Sequence, residues 1–365
     1  MNIGVPKEIK AQENRVSMVP NSVAELVKRG HRVVVERGAG EGASFSDTLY
    51  VAAGAIIAET AEMVFAEAEL IVKVKEPQPS EVAMLRPGQI LFTYLHLAAN
   101  KALTQSLMAS GCTAIAYETI EVNRHLPLLE PMSEIAGRMS AIVGSYHLAK
   151  HCGGRGSLLG GVPGVAPGRV VVLGGGTAGV NAARVATGIG ADVTILEVDF
   201  ERMRFLDITM GSSTVYSNEA NLSDLLPRVD LVIGAVLVPG AKAPKLITRE
   251  MLRLMPPGSV FVDIAVDQGG CAETTRPTTH DDPTYVEEGV LHYCVANMPG
   301  AYSRTATQAL NNVTHPWTML IADKGLAGAC QTRKELLGGI NVIAGQLSCQ
   351  PVAEAHGIPF SPHEA

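Results

Sequence analysis

One short stretch limits what this 365-residue chain can fold into more than any other. Val170-Val-Val-Leu-Gly174-Gly-Gly176-Thr-Ala-Gly179-Val-Asn-Ala-Ala sets three glycines at G-x-G-x-x-G spacing between a continuous apolar run and a helical pattern. An unbroken apolar run such as Arg169–Leu173 reads as a strand covered on both faces, the mark of a parallel sheet flanked by helices. At the turn that follows, Gly174 permits a tight reversal and Gly176 removes a side chain where a pyrophosphate must approach the backbone. Gly179 lets the helix pack against the strand. The phosphates then meet a helix N-terminus, where unpaired N–H groups and the helix dipole favour an anion. Asp192–Leu196 supplies a second strand. At its end stands Glu197, eighteen residues beyond Gly179, placed to accept hydrogen bonds from ribose hydroxyls and to repel a 2′-phosphate. The whole unit predicts a dinucleotide site that prefers NAD, with Arg202 flanking the adenosine end.

The length predicts two domains, since single cores stop growing well below 365 residues. Hydrophobic residues at 47% and charged residues at 18% place the chain among ordinary globular proteins. The net charge of −7, with no basic block, argues against a nucleic-acid or anionic membrane surface and favours a small-molecule partner. No run of eighteen apolar residues predicts a membrane span, and charge within the first ten residues does not match a secretory signal, so a cytoplasmic location is expected. Cys112, Cys152, Cys271, Cys294, Cys330 and Cys349 form no CxxC pair and read as reduced, mostly buried thiols.

The first 130 residues alternate strand-like and helix-like segments, which predicts βαβ units. Asn2–Val5, Val33–Glu36, Leu70–Val74, Ile90–Tyr94 and Thr113–Ala116 are the strands, with helices at Ser22–Arg29, Ala61–Ala68 and Lys101–Ala109. A proline-free periodic segment from Met132 to about His151 predicts one long helix. The Gly/Pro-rich stretch Gly153–Gly168 is a connector, after which a new sheet begins and continues through Asp230–Val236 and Ser259–Ile264. Beyond Met298 the pattern is helical at Ala306–Val313 and Thr318–Lys324, then irregular with no further sheet, and is expected to dock on the first domain. The fold class is therefore α/β: two Rossmann-like, doubly wound parallel-sheet domains joined by long helices, with the active site in the interdomain cleft. Residues 1–130 with 302–365 form the substrate and catalytic domain, and 131–301 the NAD-binding domain.

Ligands of open α/β sheets bind beyond the carboxyl ends of the strands, and four polar residues sit there: Lys75, His96, Glu118 and Asp267. A lysine can hold a substrate carboxylate as a point charge, and a histidine titrating near neutrality can shuttle a proton that accompanies hydride loss. Each is equally readable as a solvated strand end; their convergence on one crevice favours function. Arg15, in the polar loop after the first strand, carries a fork suited to a carboxylate, although a surface arginine is the plainer reading. Asp263 and Asp267 are expected on one side of a single strand end, with only Asp267 reaching its mouth. The other histidines show neither HxH nor HExxH spacing, so no metal site is predicted, and no GxSxG nucleophile motif occurs.

Along nearly its whole length the chain resembles bacterial alanine dehydrogenases. The resemblance is carried by Gly4-Val-Pro-Lys-Glu with Asn14-Arg15-Val, Lys73-Val-Lys75-Glu76-Pro77, Leu95-His96-Leu-Ala-Ala, Glu130-Pro-Met-Ser-Glu-Ile-Ala-Gly-Arg, Gly160-Gly-Val-Pro-Gly-Val, Gly234-Ala-Val-Leu-Val-Pro-Gly, Asp263-Ile-Ala-Val-Asp-Gln-Gly-Gly-Cys, Arg276-Pro-Thr-Thr and Val295-Ala-Asn-Met-Pro. It implies reversible NAD-dependent oxidative deamination of L-alanine to pyruvate and ammonia in a cytoplasmic homo-oligomer, usually a hexamer. It implies Arg15 and Lys75 as substrate-binding residues and His96 and Asp267 as the catalytic pair. Besides the three glycines, Glu197 and Arg202, it implies cofactor contacts from Ser133, Ala178, Ser217, Val236, Leu237, Ile264, Arg276, Asn297 and Met298. Two departures stand out: Glu197 replaces the family's usual Asp, and Lys324 replaces a histidine that touches a metal in some members.

The alternatives are the soluble NAD-binding component of a proton-translocating transhydrogenase, a non-catalytic NAD sensor, and a dehydrogenase of lysine-derived imines. The first carries an Arg-Ala-Gln loop before the long helix, where this chain has Leu126-Pro-Leu-Leu-Glu-Pro-Met.

Overall fold

The computed structural model describes residues 1–236 and 243–363, so Leu237 lies outside the described residues. The chain forms two compact units, Met1–Met132 with Gly300–Ala365, and Ser133–Pro299. It passes from one to the other within the long helix Glu130–His147 and returns through the turn Met298–Tyr302.

In the first unit, β1 (Asn2–Val5), β2 (Arg32–Glu36), β3 (Ile56–Ala58), β4 (Leu70–Val72), β5 (Ile90–Thr93) and β6 (Thr113–Ala116) pair in parallel in the order β3-β2-β1-β4-β5-β6. The strand order reverses direction at β1, which is where an open sheet leaves a crevice at its carboxyl edge. β3 was not anticipated, because a three-residue strand is too short to show alternation.

In the second unit, β7 (Arg169–Leu173), β8 (Asp192–Glu197), β9 (Ser213–Tyr216), β10 (Leu231–Gly234), β11 (Val260–Asp263), β12 (Thr284–Glu287) and β13 (Val290–Tyr293) take the order β12-β13-β11-β10-β7-β8-β9. All pairings are parallel except the β12–β13 hairpin, and the order reverses at β7. Both faces of this sheet are covered, which explains the unbroken apolar runs. Val170, Val172, Leu231, Ile233, Val260 and Val262 enter one core, while Val171, Leu173, Val232 and Phe261 enter the other. The helix Thr177–Gly188 follows β7 and buries Ala182, Ala183 and Ala186 in the first of these cores. Glu130–His147 contributes Ala136, Met139 and Ala141 to that same core, but Ile142 and Tyr146, which share its apolar periodicity, are exposed.

The irregular tail expected after residue 325 is instead structured. β14 (Ile340–Ile343) pairs antiparallel with β6, and β15 (Gln346–Leu347) closes a hairpin on it, extending the first sheet to eight strands. Its runs of four and two residues carry too little pattern to be recognised without their partner. The two helices expected after Met298 form one element, Ser303–Thr332, that accommodates Pro316 and kinks where Gly325 takes a left-handed backbone. All six cysteines are free thiols.

Candidate active site

The loop after β1 carries Arg15, and although Ala11 and Asn14 are exposed, it turns two charged side chains inward. Glu13 and Arg15 are both buried. Arg15 donates from Nε and Nη2 to the two Glu13 oxygens at 2.7 and 2.6 Å, and its Nη1 faces Met132 Sδ at 3.0 Å. Burial opposes the guanidinium charge, but Glu13 more than compensates and raises the Arg15 pKa. The loop is held from far along the chain. Thr307 and Asn311, one helical turn apart on Ser303–Thr332, accept the Val16 and Val19 amides at 3.1 and 3.0 Å.

β4 runs into Lys73, Val74 and Lys75. Lys73 is wholly buried and donates to Glu81 at 2.6 Å and to Glu8 at 3.1 Å, while Glu8 also accepts the Val74 amide at 2.6 Å. The two carboxylates outweigh burial and keep Lys73 charged. Lys75, also buried, is anchored through its carbonyl, which accepts Thr93 Oγ1 at 2.9 Å. Next to it, Glu76 pairs with Lys10 through Oε1, whereas its buried Oε2 has no hydrogen-bond partner. Burial pushes the Glu76 carboxyl up, but the Lys10 hydrogen bond and the charges of Lys75, Lys10 and His96 together hold it below the ordinary carboxylate range.

His96 lies three residues past β5, half-buried, with a left-handed backbone at φ 50° and ψ 37°. A residue with a Cβ pays about 1–2 kcal/mol for that conformation, so its surroundings must enforce it. Its ring lies nearly parallel to that of the buried Tyr94, with centroids 5.9 Å apart, and Tyr94 donates to the Leu128 carbonyl at 2.5 Å. Arg15, Lys75 and His96 thus follow β1, β4 and β5, three adjacent strands ending on the same edge of one sheet.

In the second unit the glycine turn has the backbone geometry expected at Gly174 and Gly179. Gly174 has φ +94°, which favours glycine, and a Cβ at Gly179 would stand 1.8 Å from the Gly174 carbonyl. Among the described residues, a Cβ at Gly176 would meet no atom within 4 Å. The helix Thr177–Gly188 begins at Gly176 with no side-chain cap, leaving its first amides facing outward beside Ala178. Glu197 accepts the Gly175 amide at 2.7 Å through Oε2 and the Val198 and Asp199 amides at 2.7 and 3.1 Å through Oε1. Arg202 donates from Nε to the Gly175 carbonyl at 2.6 Å, and Ser217 donates its amide to the Glu197 carbonyl at 2.9 Å. Val236 lies against the turn, its methyl 3.1 Å from where a Gly174 Cβ would be. These residues fit a dinucleotide: an uncapped helix start, a glycine with open space before it and an acid at the end of β8.

The remaining expected positions are spread over the same unit. Asp267 does not stand on a strand. β11 ends at Asp263, and Asp267 sits exposed on the 3₁₀ turn Ile264–Gln268. Asp263 is instead a buried structural carboxylate, accepting the Ala265 and Cys271 amides at 3.0 and 2.7 Å and Thr275 Oγ1 at 2.6 Å. The hydrogen bonds that its carboxylate accepts from the following amides turn the chain out of the strand, an effect invisible to strand periodicity. Ile264 is half-buried beside it. Arg276 lies exposed with its guanidinium 3.9 Å from the centroid of the Tyr285 ring. The Asn297 carbonyl is 3.0 Å from His280 Nε2, Met298 is buried, and Ser133 is half-buried near the start of the long helix.

Comparison with known proteins decides the family. Models of the N-terminal and C-terminal domains of the family described as alanine dehydrogenase/PNT match residues 4–136 and 140–350. The chain belongs to the alanine dehydrogenase/PNT family. An alanine dehydrogenase of Mycolicibacterium smegmatis is 54% identical over 364 residues, covering 99% of this chain and 98% of the relative. One of Bacillus subtilis is 52% identical over 367 residues, covering 100% and 97%. Among solved structures, an L-alanine dehydrogenase superposes with a TM-score of 0.94 at 51% identity, covering 98% of this chain and 99% of that one. A transhydrogenase from Sinorhizobium meliloti reaches 0.79 at 27% identity, covering 96% and 99%.

Three residues of this site escaped the sequence reading of function: Glu13, Lys73 and Glu76. Each sits one or two positions from a residue that was singled out, but charged residues beside a strand end read as solvated until burial is known.

Proposed function

We propose that this chain is an L-alanine dehydrogenase, interconverting L-alanine, NAD and water with pyruvate, ammonium, NADH and a proton. The observation that carries the reading is the alignment of Arg15, Lys75 and His96 after three adjacent strands of one doubly wound sheet, in a chain of this family. NAD, when bound at the glycine turn, supplies the acceptor for the hydride leaving the alanine Cα. Gly174, Gly176, Ala178 and Gly179 form its pyrophosphate cradle, and Glu197 with Arg202 borders the adenosine ribose. Ser133, Ser217, Val236, Ile264, Arg276, Asn297 and Met298 would contribute further contacts; the expected contact of Leu237 lies outside the described residues.

Arg15 and Lys75 bind the substrate carboxylate. Glu13 holds the Arg15 guanidinium in place through Nε and Nη2, and Lys75 supplies the second cation. His96 takes the proton from the substrate amine and later returns one as water adds to the imine carbon and ammonia departs. Asp267 assists by orienting that water. Depressed below the ordinary range, Glu76 stays anionic and balances the positive cluster. Charge placement and orientation, rather than covalent chemistry by the protein, carry the rate enhancement.

We read the chain as cytoplasmic and as a homo-oligomer, with a hexamer as the expected state. No described helix is long and apolar enough to cross a membrane. Ile142, Tyr146, Leu158, Val162 and Val165 are large apolar side chains about half or more exposed on the second unit, which suits a subunit contact. Following NADH absorbance with purified protein, NAD or NADP, and a panel of small L-amino acids at alkaline pH tests the function. Alanine-dependent NADH formation is expected. Cofactor binding without turnover would instead support a transhydrogenase component or a sensor.

A further inference from the structure

We infer that Glu118 is the positioning residue for His96, its carboxylate holding the histidine backbone in the left-handed conformation that presents the imidazole. The inference rests on the reading of His96 as the proton-transferring group. β5 and β6 are adjacent and parallel, with Thr93 opposite Ala116, so residues two beyond each strand lie side by side: Leu95 and Glu118. The Leu95 amide donates to Glu118 Oε1 at 3.0 Å and to Oε2 at 3.3 Å, and the His96 amide donates to Oε1 at 2.6 Å. Two consecutive N–H groups converging on one anion require the backbone between them to curl, and a left-handed residue is how that curl is made.

Among the described residues, no other group accepts both the Leu95 and the His96 amides. Downstream, the chain has its own anchors: Leu97–Ala99 forms a 3₁₀ turn, and Asn100 caps the helix Lys101–Ser110 by accepting the Leu103 amide at 3.0 Å. Upstream, Tyr94 belongs to the sheet through its amide on the Val74 carbonyl at 3.2 Å. Only the two residues between these anchors depend on Glu118. The carboxylate sits on the amides, not on the imidazole, so its effect on chemistry passes through the geometry of His96.

The test is a double-mutant cycle on the full-length enzyme with NAD. Glu118→Ala is expected to lower kcat for alanine oxidation about 100-fold, the scale of loss from roughly an ångström of misplacement, while KM for alanine and the Kd for NADH stay within about twofold. Glu118→Gln, which keeps an acceptor oxygen but not the charge, is expected to lose about tenfold and serves if the alanine variant does not fold. In a His96→Ala background, adding either substitution is expected to leave the residual rate unchanged within about twofold, because there is no imidazole left to misplace. Losses that multiply in that background, or a wild-type kcat in both Glu118 variants, would overturn the inference while leaving His96 in place. Full activity in His96→Ala alone would instead remove the reading of His96, and this inference with it.

Discussion

Two glycines of the same motif carry opposite predictions, because the protein requires one and the ligand the other. A methyl at Gly179 would lie 1.8 Å from the Gly174 carbonyl oxygen, and real contacts of this kind are essentially never under 3.0 Å. The helix Thr177–Gly188 would have to retreat from the turn by more than an ångström, and the obstacle is backbone, which no rotamer change can move. Gly179→Ala therefore belongs at or above the top of the overpacking range, about 3 kcal/mol. For a domain of this size, that lowers the melting temperature by about 6–12 °C. A methyl at Gly176 meets no described atom within 4 Å, and its φ of −68° and ψ of −170° suit alanine. Among the described residues the penalty is a poorer helix N-cap, so Gly176→Ala is expected to change stability by less than about 1 kcal/mol. The same methyl would stand in the path of a pyrophosphate, weakening NADH binding at least about tenfold, or about 1.4 kcal/mol. Scanning calorimetry and titration of NADH fluorescence on both variants separate the two effects. Wild-type NADH affinity in Gly176→Ala would place the pyrophosphate elsewhere, and an unchanged melting temperature in Gly179→Ala would refute the close-packing argument.

Lys73→Met leaves Glu8 and Glu81 buried without their cation and should cost about 3–5 kcal/mol in urea unfolding; a loss under about 1 kcal/mol would mean the pair is not coupled to folding. Lys75→Ala is expected to raise KM for pyruvate and lower kcat, and a change confined to NADH affinity would assign the residue to the cofactor. Glu197→Ser removes both the acceptor of the Gly175 amide and the charge facing a 2′-phosphate, so NADH binding should weaken while the kcat/KM ratio of NADP to NAD rises at least about tenfold. If the ratio stays fixed, discrimination lies elsewhere. Burial holds the His292 imidazole below its ordinary 6.5, with Nε2 on Thr274 and Nδ1 on the Val290 carbonyl. Below pH 6.5 the unfolded chain therefore binds a proton that the folded chain refuses, and stability falls as the pH drops toward the folded pKa. His292→Leu should flatten that acid slope in unfolding free energy measured against pH, whatever its effect at pH 8; an equally steep slope would exclude His292 as its source.

How far the sequence reaches is clearest where local and distant constraints meet. The strand, glycine turn, helix and acid from Arg169 to Glu197 were legible because each is set by neighbours within a few residues: continuous apolar character for a doubly covered strand, glycine where φ is positive, and an acid where the next strand ends. Lys75 and His96 were legible for the same reason, as polar residues just beyond apolar runs. What periodicity could not reveal was set by partners far along the chain. Arg15 is buried because Thr307 and Asn311 fasten its loop, hundreds of residues away. Lys73 is charged in the interior because Glu8 and Glu81 converge on it. Asp263 and Asp267, equivalent by spacing, part ways because the Asp263 carboxylate binds the amides that end its strand. Sequence alone determined where the glycine turn between strand and helix lies and which edge of a sheet carries polar groups, since those follow from backbone geometry and side-chain period. Tertiary structure alone decided which charges are buried, paired and held in place, since burial and partnership are properties of contacts between segments that no local pattern encodes.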